Sequence, residues 1–129
     1  MQRNIVIKIL LLLSLFVTGS ASADWMLVLT TKTETYYMDP STVVKEGNLR
    51  KIWVIRNKNQ RDKKGIISFR SKEEYDCAND RLRVLAFSSH SEPMAEGNTI
   101  TDLSSHVENW REIPPRTVND FLLKTVCLR

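Results

Sequence analysis

Reactive side chains are scarce in this sequence. Its 129 residues hold two cysteines, two histidines, four glycines and four prolines. No Cys-x-x-Cys or Cys-x-x-Cys-His is present, so neither a dithiol redox centre nor covalently attached haem is expected. No Gly-x-Ser-x-Gly elbow offers a hydrolase nucleophile. A zinc site needs three or four ligands, and His90 and His106 stand alone in serine-rich stretches, Ser88-Ser89-His90-Ser91 and Ser104-Ser105-His106. Serine next to histidine in the chain is not a catalytic geometry, so both are read as solvated loop histidines. Glu73, Glu74 and Asp76 lack the spacing of a calcium loop and are read as a charged outer face balanced by Arg70, Lys72 and Arg81. Repeats and low-complexity segments are also missing. No enzyme, cofactor or metal is expected.

Past residue 23 no apolar run nears the ~18 residues that span a bilayer. The first 23 residues are different in kind. Arg3 and Lys8 open a basic start, Ile9 to Val17 is apolar apart from Ser14, and Ala21-Ser22-Ala23 is a small-x-small site. This is the layout of a secretory signal, with cleavage expected between Ala23 and Asp24. Its loss removes two of the 19 basic residues and none of the 15 acids, so the net charge falls from +4 to +2. Such a balance does not describe a general nucleic-acid binder. Aromatic and β-branched residues are ample for one folded domain, residues 24–129. Beyond the cytosol the compartment is oxidising, so Cys77 and Cys127 are expected to form a disulfide. That bond would close a loop of about 50 residues, worth on the order of 4 kcal/mol in the chain-entropy model.

Strand signals fill most of the chain, and a helix signal closes it. Trp25 to Thr30 reads as a strand. Tyr36-Tyr37-Met38 begins another, which Asp39-Pro40-Ser41 interrupts as a turn. Glu46-Gly47-Asn48 is a hairpin turn leading into Leu49 to Arg56. There Ile52-Trp53-Val54-Ile55 is apolar on both faces, which marks a central strand and puts Trp53 in the core. Gly65 to Cys77 and Arg81 to Phe87 follow as strands around the turn Ala78-Asn79-Asp80. Ser88 to Gly97 reads as a loop, and Asn98 to Leu103 and Trp110 to Ile113 as short extended pieces. After Pro114-Pro115, Thr117 caps a helix with Asp120 in capping-box position. Val118, Phe121, Leu122 and Val126 share its expected inner side. The expected fold is α+β: an antiparallel β-sheet of about five to six strands, with the C-terminal α-helix packed on one face and tied to it by the disulfide.

In order along the chain stand Trp25, Tyr37-Met38-Asp39, Lys51-Ile52-Trp53-Val54, Glu74-Tyr75-Asp76-Cys77, Arg81-Leu82-Arg83, Trp110, Pro114 and the closing Val126-Cys127. This series resembles the bacterial surface-adhesin protein E family, small exported domains of Gram-negative bacteria. The resemblance implies a sheet with a C-terminal helix held by the cysteine pair. It also implies a non-catalytic, adhesin-like binding role toward host extracellular-matrix or envelope proteins. The family's named adhesin is a lipoprotein, whereas no cysteine here adjoins the cleavage site. A periplasmic structural or envelope-assembly protein is therefore the alternative to one displayed or secreted at the cell surface.

Arg56, Lys58, Arg61, Lys63 and Lys64 crowd one polar stretch against a single acid, Asp62. On a hairpin tip they would form a mobile cationic finger for an acidic partner, and they are the candidate binding residues. An exposed sheet edge offers a route to a homodimer.

Overall fold

A computed structural model of the protein describes residues 23–105 and 107–129. The signal sequence, but for Ala23, and His106 lie outside the described residues. The strands are β1 (Met26–Thr30), β2 (Glu34–Glu46), β3 (Leu49–Lys58), β4 (Ser68–Asp76), β5 (Arg81–Glu92), β6 (Glu96–Leu103) and β7 (Arg111–Glu112), and the helix α1 is Val118–Cys127. One antiparallel sheet runs in chain order from β1 to β6. β6 pairs with the far half of β5, from Phe87 to Glu92, while β7 pairs with its near end at Arg81 and Leu82.

Cross-strand register sorts the side chains onto two faces. Met38, Val54, Ser71 and Phe87 form one row, and Ile52, Glu73 and Val84 the next. This face receives α1, and the core joins Met38, Ile52, Val54, Tyr75 and Leu82 to Leu122, Leu123 and Val126 of the helix. The opposite face, left open by α1, shows the rows Lys51, Glu74, Arg83; then Trp53, Lys72, Ala86; then Arg70, Ser88, Asp102. Between β5 and β6 a 3-10 turn, Pro93–Ala95, folds back over one end of this open face. There Met94 N donates to Asn57 Oδ1 at 2.9 Å, and Ala95 N donates to Ser68 Oγ at 3.0 Å.

Local chemistry sets the ends of the elements. Gly47 turns the β2–β3 hairpin at φ +58°, a left-handed angle that glycine adopts without penalty. Thr117 Oγ1 accepts from Asp120 N at 3.2 Å, and Asp120 Oδ2 accepts from Arg116 N at 2.9 Å and Lys124 Nζ at 3.0 Å. These bonds, led by the Arg116 N–H, hold the Asp120 carboxyl below the usual carboxylate range. Thr117 thus caps the first turn, while the Asp120 carboxylate ties the chain entering the helix to that turn and anchors the i,i+4 pair.

Several sequence expectations give way here. Asp39-Pro40-Ser41 is a bulge inside β2, not a turn, because pairing with β3 resumes at Val44 after slipping at Asp39. Thr42 Oγ1 sustains the slip by accepting from Trp53 N at 3.1 Å, in place of a ladder carbonyl. Ser88 to Gly97 is not a loop. It finishes β5, turns, and starts β6, because main-chain pairing across a sheet needs no apolar alternation. Phe121 is half-exposed and Leu123 takes the inner position, which turns the buried stripe of α1 toward Leu122, Leu123 and Val126. Trp53 lies on the open face, outside the core cluster. One register step separates it from the buried Ile52 and Val54.

Cys77 and Cys127 are bonded, with their Cα atoms 5.9 Å apart. The bond joins the residue after β4 to the last residue of α1. Replacing both cysteines by serine should cost about 2–5 kcal/mol while leaving the β-sheet spectrum intact. Denaturant unfolding with and without reductant checks this; equal midpoints for the two proteins would contradict it.

Candidate functional site

The five candidate cations do not form a mobile finger. Asp62 organises the β3–β4 connection: its Oδ1 accepts from Lys64 N at 2.9 Å and Ile66 N at 3.0 Å, and its carbonyl accepts from Gly65 N at 3.0 Å. Hydrogen bonds led by the Ile66 N–H hold its carboxyl below the usual range. Arg61 ties the loop to β5 by donating to Ser91 O, with Glu92 at 3.8 Å. Lys58 pairs with Asp62 at 3.3 Å. Arg56 belongs to β3 and points to the helix side. Its guanidinium lies 4.3 Å from the Phe69 ring centre, and its Nε is 3.1 Å from Glu34. Lys63 and Lys64 are exposed, and among the described residues no carboxylate pairs with either. Of the five, these two are free to meet a partner.

The open sheet face carries cations that composition alone did not single out for binding. Glu74, 2% exposed, lies 2.6 Å from Arg83 and 3.8 Å from Lys51. Asp76, 4% exposed, lies 2.9 Å from Arg81. So Glu74 and Asp76 are not a solvated outer face. They are buried carboxylates whose ion pairs aim Arg81 and Arg83 at Trp110, 4.7 and 4.5 Å from its ring centre. Arg70 and Lys72, expected to balance these acids, pair with none. The Arg70 guanidinium instead lies over the Trp53 ring, 4.2 Å from its centre. A signal for this was present in the sequence: alternation in β4 puts Arg70, Lys72 and Glu74 on one face together.

The two serine–histidine stretches have different outcomes. His106 lies outside the described residues. His90 is 7% exposed, not solvated, and its Nε2 is 2.7 Å from Ser88 Oγ. The contact arises because i and i+2 residues of a strand share a face. Its Nδ1 has no hydrogen-bond partner, so no carboxylate orients the ring as a triad requires. Among the described residues no three His, Cys, Asp or Glu side chains gather as a metal site.

On the helix side, against the first turn of α1, a groove of about 400 Å³ is lined by Tyr36, Arg56, Phe69, Glu73, Phe87 and Arg111, among others. Phe69 and Phe87 stack with ring centres 5.5 Å apart. Glu73 accepts from Tyr75 OH at 2.8 Å. Burial raises the Glu73 carboxyl above its ordinary range, against the opposing pull of Tyr75. Burial and the neighbouring Glu34 push the Tyr36 hydroxyl up to about 12.

Comparison with known proteins gives a consistent picture. The family model described as surface-adhesin protein E matches residues 25–128. Crystal form II of Haemophilus influenzae protein E superposes with a TM-score of 0.66 at 14% identity, over 84% of this chain and 91% of that one. The selenomethionine form gives 0.64 at 14% identity, over 84% and 89%. Protein E from non-typeable Haemophilus influenzae gives 0.60 at 14% identity, over 85% and 79%. At that identity the likeness is one of fold. No curated protein matches the chain.

Glu73 gives the groove a measurable signature. A carboxyl raised on folding adds stability below its unfolded value of 4.5 and loses it as pH climbs through the folded value. At neutral pH the ionised group is therefore a burden. Glu73→Gln, which can still accept from Tyr75, should raise the thermal midpoint at pH 7 and leave it unchanged near pH 3. A lower midpoint at pH 7 would contradict this.

Proposed function

The chain belongs to the surface-adhesin protein E family, and from that premise we propose that it is an exported, non-catalytic binding module for host matrix or envelope proteins. The observation that carries the proposal is the β3–β4 loop. Asp62 and Arg61 fix its shape, and Lys63 and Lys64 stand on it exposed and, among the described residues, without an acid partner. A rigid loop loses little conformational freedom on binding. Two free ammonium groups attract an acidic patch and speed encounter, with an effect that fades as salt rises.

A second reading, residence in the periplasm, draws support from the disulfide. A bond between Cys77 and Cys127 persists in an oxidising compartment such as the periplasm. Protease treatment of intact cells separates the two: digestion supports display at the surface, and full protection supports the periplasm. Signal cleavage before Asp24 is part of either reading.

The charge-reversed variant Lys63→Glu/Lys64→Glu should bind a reconstituted basement-membrane layer roughly tenfold more weakly, chiefly through slower association. Surface plasmon resonance at two salt concentrations measures this. Undiminished association would remove the loop from the binding surface.

A further inference from the structure

The open face holds a depression of about 500 Å³ whose lining includes Trp53, Arg70, Lys72, His90, Thr99 and Asp102, within the size range of small-ligand sites. Its charges are unusual for this face. Lys51, Arg81 and Arg83 all have acid partners there, while Arg70 and Lys72 have none among the described residues. Stacking on Trp53 restrains the Arg70 guanidinium without using its N–H groups, so its planar donor edge is held ready for a carboxylate. Asp102 faces it from the far rim of the same cross-strand row, two strands away through Ser88. Two strand spacings set their backbones about 10 Å apart, and neither charge takes an ion pair among the described residues.

The inner wall of the depression supplies an independent observation. His90 is more than nine-tenths buried, and its Nδ1, itself closed to solvent, has no hydrogen-bond partner among the described residues. Buried ring nitrogens rarely go unbonded in folded proteins. Burial, aided by the Arg70 charge and opposed by that of Asp102, lowers the ring's affinity for a proton, and its Nε2 shares a hydrogen bond with the Ser88 hydroxyl. Thr99, beside it in the ladder, adds another hydroxyl partner.

We infer that this depression is a binding site for a single carboxylate-bearing sugar residue of the uronic or sialic acid class. The carboxylate meets Arg70 and Lys72, and the ring hydroxyls meet Asp102, Thr99 and the Ser88–His90 pair. Asp102 decides the class. It disfavours a ligand that is anionic throughout, such as a polyacidic peptide, whereas a sugar that bears one carboxylate can donate a hydroxyl to it. Trp53 sets the edge of the pocket and orients Arg70. The site is separate from the β3–β4 loop and does not depend on that loop binding protein.

Amide and indole shifts of the oxidised protein, followed by NMR during titration with glucuronic acid and with N-acetylneuraminic acid, test the assignment. Glucose and acetate are the comparison ligands. At least one acidic sugar should give saturable shifts at Arg70, Ser88, His90 and Asp102 and the Trp53 indole, and should bind at least tenfold tighter than glucose or acetate. Arg70→Gln should weaken that sugar at least tenfold. Asp102→Asn should weaken it severalfold while tightening acetate. Lys63→Glu/Lys64→Glu should leave it unchanged, which keeps this result apart from the protein-binding proposal. Spectra away from the site verify the fold of each variant. No saturable shift with either acid sugar, acetate binding as tightly as the sugar, or an Arg70→Gln protein that binds normally would each overturn the inference.

Discussion

The bond between Cys77 and Cys127 is the constraint on which the rest of the molecule depends. α1 is only ten residues long, too short to be stable alone in water. Its helicity comes from packing Leu122, Leu123 and Val126 against the sheet, and the disulfide holds that packing in register with the end of β4. A single sheet must cover one apolar face and can leave the other in contact with water. With α1 committed to the Val54 side, the Trp53 side stays open, and the surface chemistry of the protein collects there and on the β3–β4 loop.

Charge on the open face is organised in depth. Carboxylates lie beneath, at Glu74 and Asp76, and guanidinium groups lie above them. A buried carboxylate needs such partners, so these acids are structural and their arginines are spent on holding them. Arg70 and Lys72 are not spent in this way. The same division appears in the loop, where Asp62 occupies Lys58 and the backbone while Lys63 and Lys64 stay free. Counting positive residues therefore misjudges both surfaces; what matters is which cations the fold has already used.

Features with local causes were legible in the sequence. The Gly47 hairpin, the Thr117 cap with Asp120, the central strand around Ile52 and Val54, and the disulfide all follow from short-range rules and compartment. Features set by distant partners were not. The bulge at Asp39 exists because Thr42 replaces a ladder bond from β3. Ser88 to Glu92 is strand because β4 and β6 flank it, despite its polar composition. Trp53 sits in an apolar run, yet parity in the strand sends it outward, where Arg70 covers its ring. Phe121 and Leu123 trade places because both fit an amphipathic pattern and only the packed sheet chooses between them. Of the binding residues, the charge of Lys63 and Lys64 could be read directly, but their freedom from ion pairs could not. The Arg70 depression needed the register of three neighbouring strands.

Export followed by disulfide closure underlies the whole account, and one measurement reaches it most directly. The protein is isolated from its native cells under denaturing conditions with a thiol-alkylating reagent, and its intact mass is determined. The account predicts a chain that begins at Asp24 and carries no alkyl group. A chain that keeps residues 1–23, or one alkylated at both Cys77 and Cys127, would contradict it.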